Sequence, residues 1–192
     1  MNISIFNRKD FETKEWSGGT TTQLYISPAN ASYVERNFNV RISTAKVEVE
    51  ESSFTPLPGV NRKLMILDGE IEITHENQYS KHLKSFDVDA FSGDWKTSSV
   101  GTCTDFNVMT SGQVQSELFA LHLKAEASSE LKYKKESSML CLYLLSGRVS
   151  IEINKAKLHL SEGDLLILED ANSCLFPLHA CEDSQLIVTQ IK

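Results

Sequence analysis

Four polar side chains on strand-like segments carry most of the chemistry this chain offers: Arg41, Arg62, Asp105 and Asn107. Arg41 alternates with Val40 and Ile42, so it shares a strand face with Asn39 and Ser43. By itself that pattern reads as an exposed arginine, with ligand binding as the alternative. Arg62 closes the stiff segment Phe54-Thr55-Pro56-Leu57-Pro58-Gly59-Val60-Asn61 and then alternates with Leu64 and Ile66, which aims it into a barrel. A guanidinium in an apolar interior requires an anionic partner, from the protein or from a ligand. Asp105 is the nearest such carboxylate along these segments, and Asn107 lies on its strand face. Upstream, Trp16-Ser17-Gly18-Gly19-Thr20 has two readings. It is either a tight turn entering a strand, or backbone brought close to a ligand, with Thr20 as a donor and Trp16 as an apolar wall.

Other chemistries find little support. The histidines are His75, His82, His122, His159 and His179, and no two have the spacing of a metal-ligand pair. His75 and His82 fall in a polar hairpin and His122 and His159 lie between leucines, which reads as surface or rim positions. Cys103, Cys141, Cys174 and Cys181 form no C-x-x-C pair, and Cys141 and Cys174 are flanked by apolar residues as structural thiols are. The formal net charge of −7 speaks against binding nucleic-acid backbone. No apolar run reaches the roughly 18–20 residues of a membrane helix, and the alternating start Met1-Asn2-Ile3-Ser4-Ile5-Phe6 lacks a signal peptide's apolar stretch. A cytoplasmic protein is expected.

The elements that must position these residues are strands. Phe38, Val40 and Ile42, then Phe119, Leu121 and Leu123, then Val149, Ile151 and Ile153 each alternate with polar residues. The best helix candidate runs from Ser128 to Glu136, and it serves equally well as a polar connector. An internal repeat organises the chain. Leu64 to Ile73 matches Leu142 to Ile151, each an apolar strand, a Gly turn at Gly69 or Gly147, and an alternating strand. A Gly-Asp pair follows each, Gly93-Asp94 in one copy and Gly163-Asp164 in the other, so Asp94 is expected to be equivalent to Asp164. Two β lobes follow, 1–112 and 113–192.

Strand, L-x-G, strand, then G-D resembles the cupin pattern, and two copies resemble a bicupin: all-β, two jelly-roll β-barrel lobes in tandem. In the familiar metal-binding pattern a Glu stands seven residues before the turn glycine, where this chain has Arg62 and Leu140. The windows before those positions hold no histidine. The position of the later His holds Cys174 in one copy and Thr104-Asp105 in the other. No metal and no cofactor are therefore expected.

Five ordered segments sharpen the resemblance: Trp16 to Leu24, Arg41 to Ala45, Phe54 to Arg62, Phe91 to Asp94, and Asp105 to Met109. In this order they resemble the HutD/Ves family, described as non-metal bicupins. The resemblance implies a regulatory or metabolite-binding role. One branch accompanies histidine-utilisation enzymes, with formylglutamate as a proposed ligand, and the other has a stress association. This chain departs in carrying Thr110-Ser111-Gly112 where arginine commonly follows, and Val40 where tryptophan is usual.

The leading expectation is a bicupin that binds a small anionic metabolite in its first lobe. Trp16, Thr20, Arg41, Arg62, Asp105 and Asn107 are its ligand-binding residues, and either arginine could grip a carboxylate in bidentate geometry. A metal-free lyase, isomerase or hydrolase acting on a related acid is the first alternative, with Asp105 or His122 as base. No nucleophile–base pair is visible, so the reading leans away from an enzyme. A protein-interaction module with a vestigial pocket is the second. The sequence leaves a homodimer open.

Overall fold

A computed structural model of the chain describes residues 1–134, 136–171 and 175–192. Lys135, inside the Ser128 to Glu136 candidate, and Cys174 lie outside the described residues. Among the described residues the regular elements are all strands, apart from one short 3₁₀ turn at Arg8–Asp10. No helix among the described residues is long and apolar enough to cross a membrane. The Ser128 to Glu136 candidate contains a strand, Ser128–Lys132, which places Leu131 in the core.

The chain divides into two units, Glu12–Gln115 and Met1–Phe11 with Ser116–Lys192. The first eleven residues thus depart from the expected 1–112 boundary. The cause is pairing: Asn2–Phe6 runs antiparallel to Leu165–Glu169, with Ile3 opposite Leu168 and Ile5 opposite Leu166. The unit that includes Ser116–Lys192 has two sheets. One has five strands in the order Asn2–Phe6, Leu165–Glu169, Met139–Ser146, Ser184–Ile191 and Ser116–Leu123. The other has four, Ser128–Lys132, Leu175–Ala180, Arg148–Ile153 and Ala156–Ser161. Alternate residues of both, such as Leu142, Leu144, Val149, Ile151 and Leu178, meet in one apolar core.

In Glu12–Gln115 the long strand Val60–His75 is the one on which the nine-stranded sheet is built. Its first half pairs with Cys103–Ser111 and Val88–Ser92, its second half with Tyr79–Lys84 and Thr97–Val100. Beyond Cys103–Ser111 the sheet continues through Val40–Val47, Gly19–Ser27 and Glu12–Trp16. Leu64, Ile66, Ile71, Ile73, Leu83 and Phe91 form the core under it.

The repeat is real at its glycines. Gly69 has φ 80° and Gly147 φ 89°. A Cβ at Gly69 would stand 2.4 Å from the Thr102 carbonyl oxygen, and one at Gly147 2.5 Å from that of Asp183. Each turn adjoins a register shift, at Thr104/Asp105 in one lobe and Leu144/Ser146 in the other. Gly69→Ala and Gly147→Ala are each expected to cost about 1–3 kcal/mol, since each adds left-handed strain to a backbone clash. Denaturant midpoints measure this, and an unchanged midpoint for either variant would undo the equivalence of the two turns.

The expected match of Asp94 to Asp164 does not hold. The Gly163 amide donates to the Leu144 carbonyl, the Leu144 amide to that of Asp164, and the Ser161 amide to the Asp164 carboxylate. In the other lobe the Phe86 amide donates to the Ile66 carbonyl, the Ile66 amide to that of Asp87, and the Lys84 amide to the Asp87 carboxylate. Phe86, at φ 69°, therefore stands where Gly163 stands at φ 86°. A bulky residue in a left-handed turn erased the Gly-Asp mark. Asp94 instead caps a neighbouring turn, accepting from the Ser92 hydroxyl at 2.9 Å and the Gly59 amide at 3.3 Å.

Candidate anion site in the Glu12–Gln115 lobe

Register brings the two arginines together. Met109 pairs with Arg41 on one side and Arg62 on the other, Asn107 with Ser43 and Leu64, and Asp105 with Ala45 and Ile66. Paired residues share a sheet face, so Arg41, Ser43, Arg62, Asp105 and Asn107 all point to the side that carries Leu64 and Ile66. The polar stripe of Val40–Val47 therefore faces inward. Arg41 is not the exposed side chain that alternation alone suggests, for it and Arg62 each keep only 6% of their surface.

Each guanidinium is held by neutral groups. Arg41 Nε donates to Gln23 Oε1 at 3.1 Å and Nη1 to Ser43 Oγ at 3.0 Å, while its Cζ lies 4.4 Å from the centre of the Tyr33 ring. Arg62 Nη2 donates to Asn107 Oδ1 at 3.2 Å, and Cζ lies 4.9 Å from the Phe54 ring centre and 5.1 Å from that of Phe91. Cation–π contacts of this kind are worth about 2 kcal/mol when desolvated. Arg62 Nε is buried with no hydrogen-bond partner among the described residues. Asn107 Nδ2 donates to Asp105 Oδ1, so Asn107 bridges the guanidinium and the carboxylate.

Burial governs the charges. It lowers Arg62 to about 10, with the positive charge of Arg41 acting in the same direction against Tyr33 and Asp105. It lowers Arg41 as well. It raises Asp105 to about 7, against the pull of Arg62 and the hydrogen bond from Asn107. Near neutral pH two buried cations thus face one half-ionised carboxylate, which leaves the interior net positive. That donor set suits an anion and does not fit a metal ion. Among the described residues no three His, Cys, Asp or Glu side chains gather as metal ligands would.

Two of the six expected ligand-binding residues are elsewhere. Thr20 pairs with Lys46 and Glu15, so it lies on the opposite face from Thr21 and Gln23. Trp16 is 39% exposed at the far end of the sheet. It pairs with Gly19, which pairs with Val47, six residues or about 20 Å along the strand from Arg41. The glycines beside it serve packing. A Cβ on Gly18 would enter the Trp16 ring at 2.2 Å, and one on Gly19 would meet the Lys46 carbonyl oxygen at 1.9 Å. Gln23, Tyr33 and the Phe54–Phe91 pair, its rings edge to face at 6.0 Å, take their place around the arginines.

A hollow of about 450 Å³ lies in the other unit, on the outer face of its four-stranded sheet, lined by Ser128, Ser150, Glu152, Lys157 and His179 among others. Its Ser128–His179 contact, 3.3 Å, is exposed, so the buried charge marks the more distinctive site.

The HutD family model matches residues 8–187. The chain belongs to the HutD family. The conserved protein PA5104 of Pseudomonas aeruginosa PAO1, described as of unknown function, superposes with TM-score 0.85 at 21% identity, over 100% of both chains. HutD of Pseudomonas fluorescens SBW25 gives 0.71 at 19% identity, covering 98% of this chain and 99% of its own. YhhW of Escherichia coli gives 0.76 at 13%, covering 98% and 97%. The fold is of the cupin type: a cupin 2 conserved barrel domain protein of Leptotrichia buccalis superposes with TM-score 0.58 at 14% identity, covering 98% of this chain and 96% of its own. No functionally curated protein matches the sequence.

Proposed function

We propose that the Glu12–Gln115 lobe binds a small anionic metabolite, a carboxylate of the formylglutamate kind, and serves a regulatory or accessory role in histidine utilisation or the stress response. The observation that supports it is the pair of buried guanidiniums with only neutral hydrogen-bond partners, one of them holding an unused buried N–H. Such charge is costly to keep unless an anion completes it. Family membership supports the metabolic setting, and a cytoplasmic location goes with it. Rings on Arg62 and Arg41 supply apolar walls, which suits a short carbon chain bearing an acid group.

A thermal-shift series with formate, glutarate, formylglutamate and urocanate tests this. At least one carboxylate should raise the melting temperature in a saturable way, while a neutral amide of the same shape should not. No shift with any acid would favour the interaction-module reading.

One observation favours a second reading, a metal-free enzyme. A buried Asp105 near neutrality could exchange a proton with a bound acid. Turnover of a stabilising ligand by chelator-treated protein, lost in Asp105→Asn, would establish it.

A further inference from the structure

We infer that His75, expected at the surface of a polar hairpin, is a positioning residue that sets the aromatic wall of the Arg62 site; this rests on the anion reading above. His75 ends the strand Val60–His75 and keeps 1% of its surface. Both ring nitrogens are engaged. Nδ1 lies 2.8 Å from Thr97 Oγ1 and Nε2 2.8 Å from Asp89 Oδ2. Asp89, itself buried, also accepts from the Tyr79 hydroxyl at 3.1 Å and lies 3.6 Å from Lys81 Nζ. The imidazole therefore cannot turn or slide without breaking hydrogen bonds at both ends.

What the fixed ring touches is Phe91, with centroids 4.5 Å apart and planes tilted 42°. Phe91 and Asp89 are two residues apart on Val88–Ser92, opposite Arg62 and Leu64 on the neighbouring strand. They share the inward face. Phe91 in turn carries the guanidinium of Arg62, 5.1 Å from its ring centre. The path is continuous: Thr97 and Asp89 hold His75, His75 braces Phe91, and Phe91 seats Arg62.

Packing alone does not ask for this arrangement. Trp95 at 5.4 Å and Tyr79 at 4.7 Å complete an aromatic surround that a phenylalanine at position 75, with an apolar residue at position 89, would fill without desolvating an imidazole and a carboxylate. What the polar pair adds is orientation. Arg62 needs it, because its buried Nε–H has no acceptor among the described residues to hold the guanidinium plane.

The test uses full-length protein with glutarate as probe, and the ¹⁵N–¹H resonance of Arg62 Nε as a readout that folding alone would not move. Arg62→Lys assigns the resonance. His75→Phe should fold yet bind glutarate at least tenfold more weakly, with the Nε–H signal shifted or broadened. Thr97→Val, which removes only the Nδ1 contact, should weaken binding about threefold with a smaller shift. Wild-type affinity and an unchanged Nε–H resonance in both variants would overturn the inference. If His75→Phe does not fold, Thr97→Val decides in the same way. If the wild-type protein binds no carboxylate, the anion reading fails, and the resonance alone then tells whether His75 positions Arg62.

Discussion

Arg62→Ala is expected to abolish carboxylate-dependent stabilisation. In the wild-type protein a ligand at about 100 times its Kd adds roughly 2.7 kcal/mol. For a chain of 192 residues that is about 5–10 °C in Tm. The loss should be complete because, among the described residues, Arg62 has a buried donor without a partner, Nε, and a single hydrogen bond, to Asn107 at 3.2 Å. Arg41→Ala should leave a reduced shift, since Arg41 Nε and Nη1 are already engaged by Gln23 and Ser43. Arg62→Lys should not restore binding. An ammonium has no planar face to lie against Phe54 and Phe91 and cannot present paired N–H groups to a carboxylate. Undiminished shifts in both alanine variants would remove the arginines from the site.

The strand grammar made the lobes and three of the site residues legible. Alternation through Arg62, Leu64 and Ile66 does aim Arg62 at the core, and Asp105 and Asn107 do share its face. Gly69 and Gly147 mark the repeat because a left-handed turn against backbone leaves no room for a side chain. Where the reading failed, the reason is specific. Arg41 looked exposed because polar alternation normally faces water, and here the polar stripe lines the inside of a barrel. Thr20 missed by one residue, and at a period of two a single step exchanges faces. His75 sits among Thr74, Glu76, Asn77 and Gln78, a run that reads as a solvated turn. Its partners Asp89 and Thr97 lie on other strands, 14 and 22 residues away. Local pattern cannot announce a partner that only the sheet brings near. Phe86 hid the second Gly-Asp turn in the same way, by occupying a conformation that sequence rules reserve for glycine.

Asp105 carries the second large effect, a pH dependence that appears in stability and in binding. Its carboxyl is raised by burial from 3.8 to about 7 in the folded protein. Between those values the native state keeps a proton that the unfolded chain releases, so stability is full below about pH 4 and falls as pH rises toward 7. At 1.36 kcal/mol per unit the loss amounts to roughly 4 kcal/mol. Asp105→Asn preserves an acceptor for Asn107 Nδ2 and cannot ionise. Denaturant unfolding of the two proteins should therefore give a difference that grows from near zero at pH 4 to a few kcal/mol in favour of the asparagine variant at pH 8. Binding should follow the same proton. Below pH 7 a neutral Asp105 leaves both guanidiniums to the ligand. Above it the carboxylate competes for Arg62 and repels an acid, so affinity should fall by up to tenfold per unit in the wild type and stay level in Asp105→Asn. Arg41 remains charged throughout this range and does not supply the slope. A stability difference constant from pH 4 to pH 8 would mean that Asp105 is ionised throughout. The positive charge on which anion recognition depends would then be halved from within, at every pH in that range.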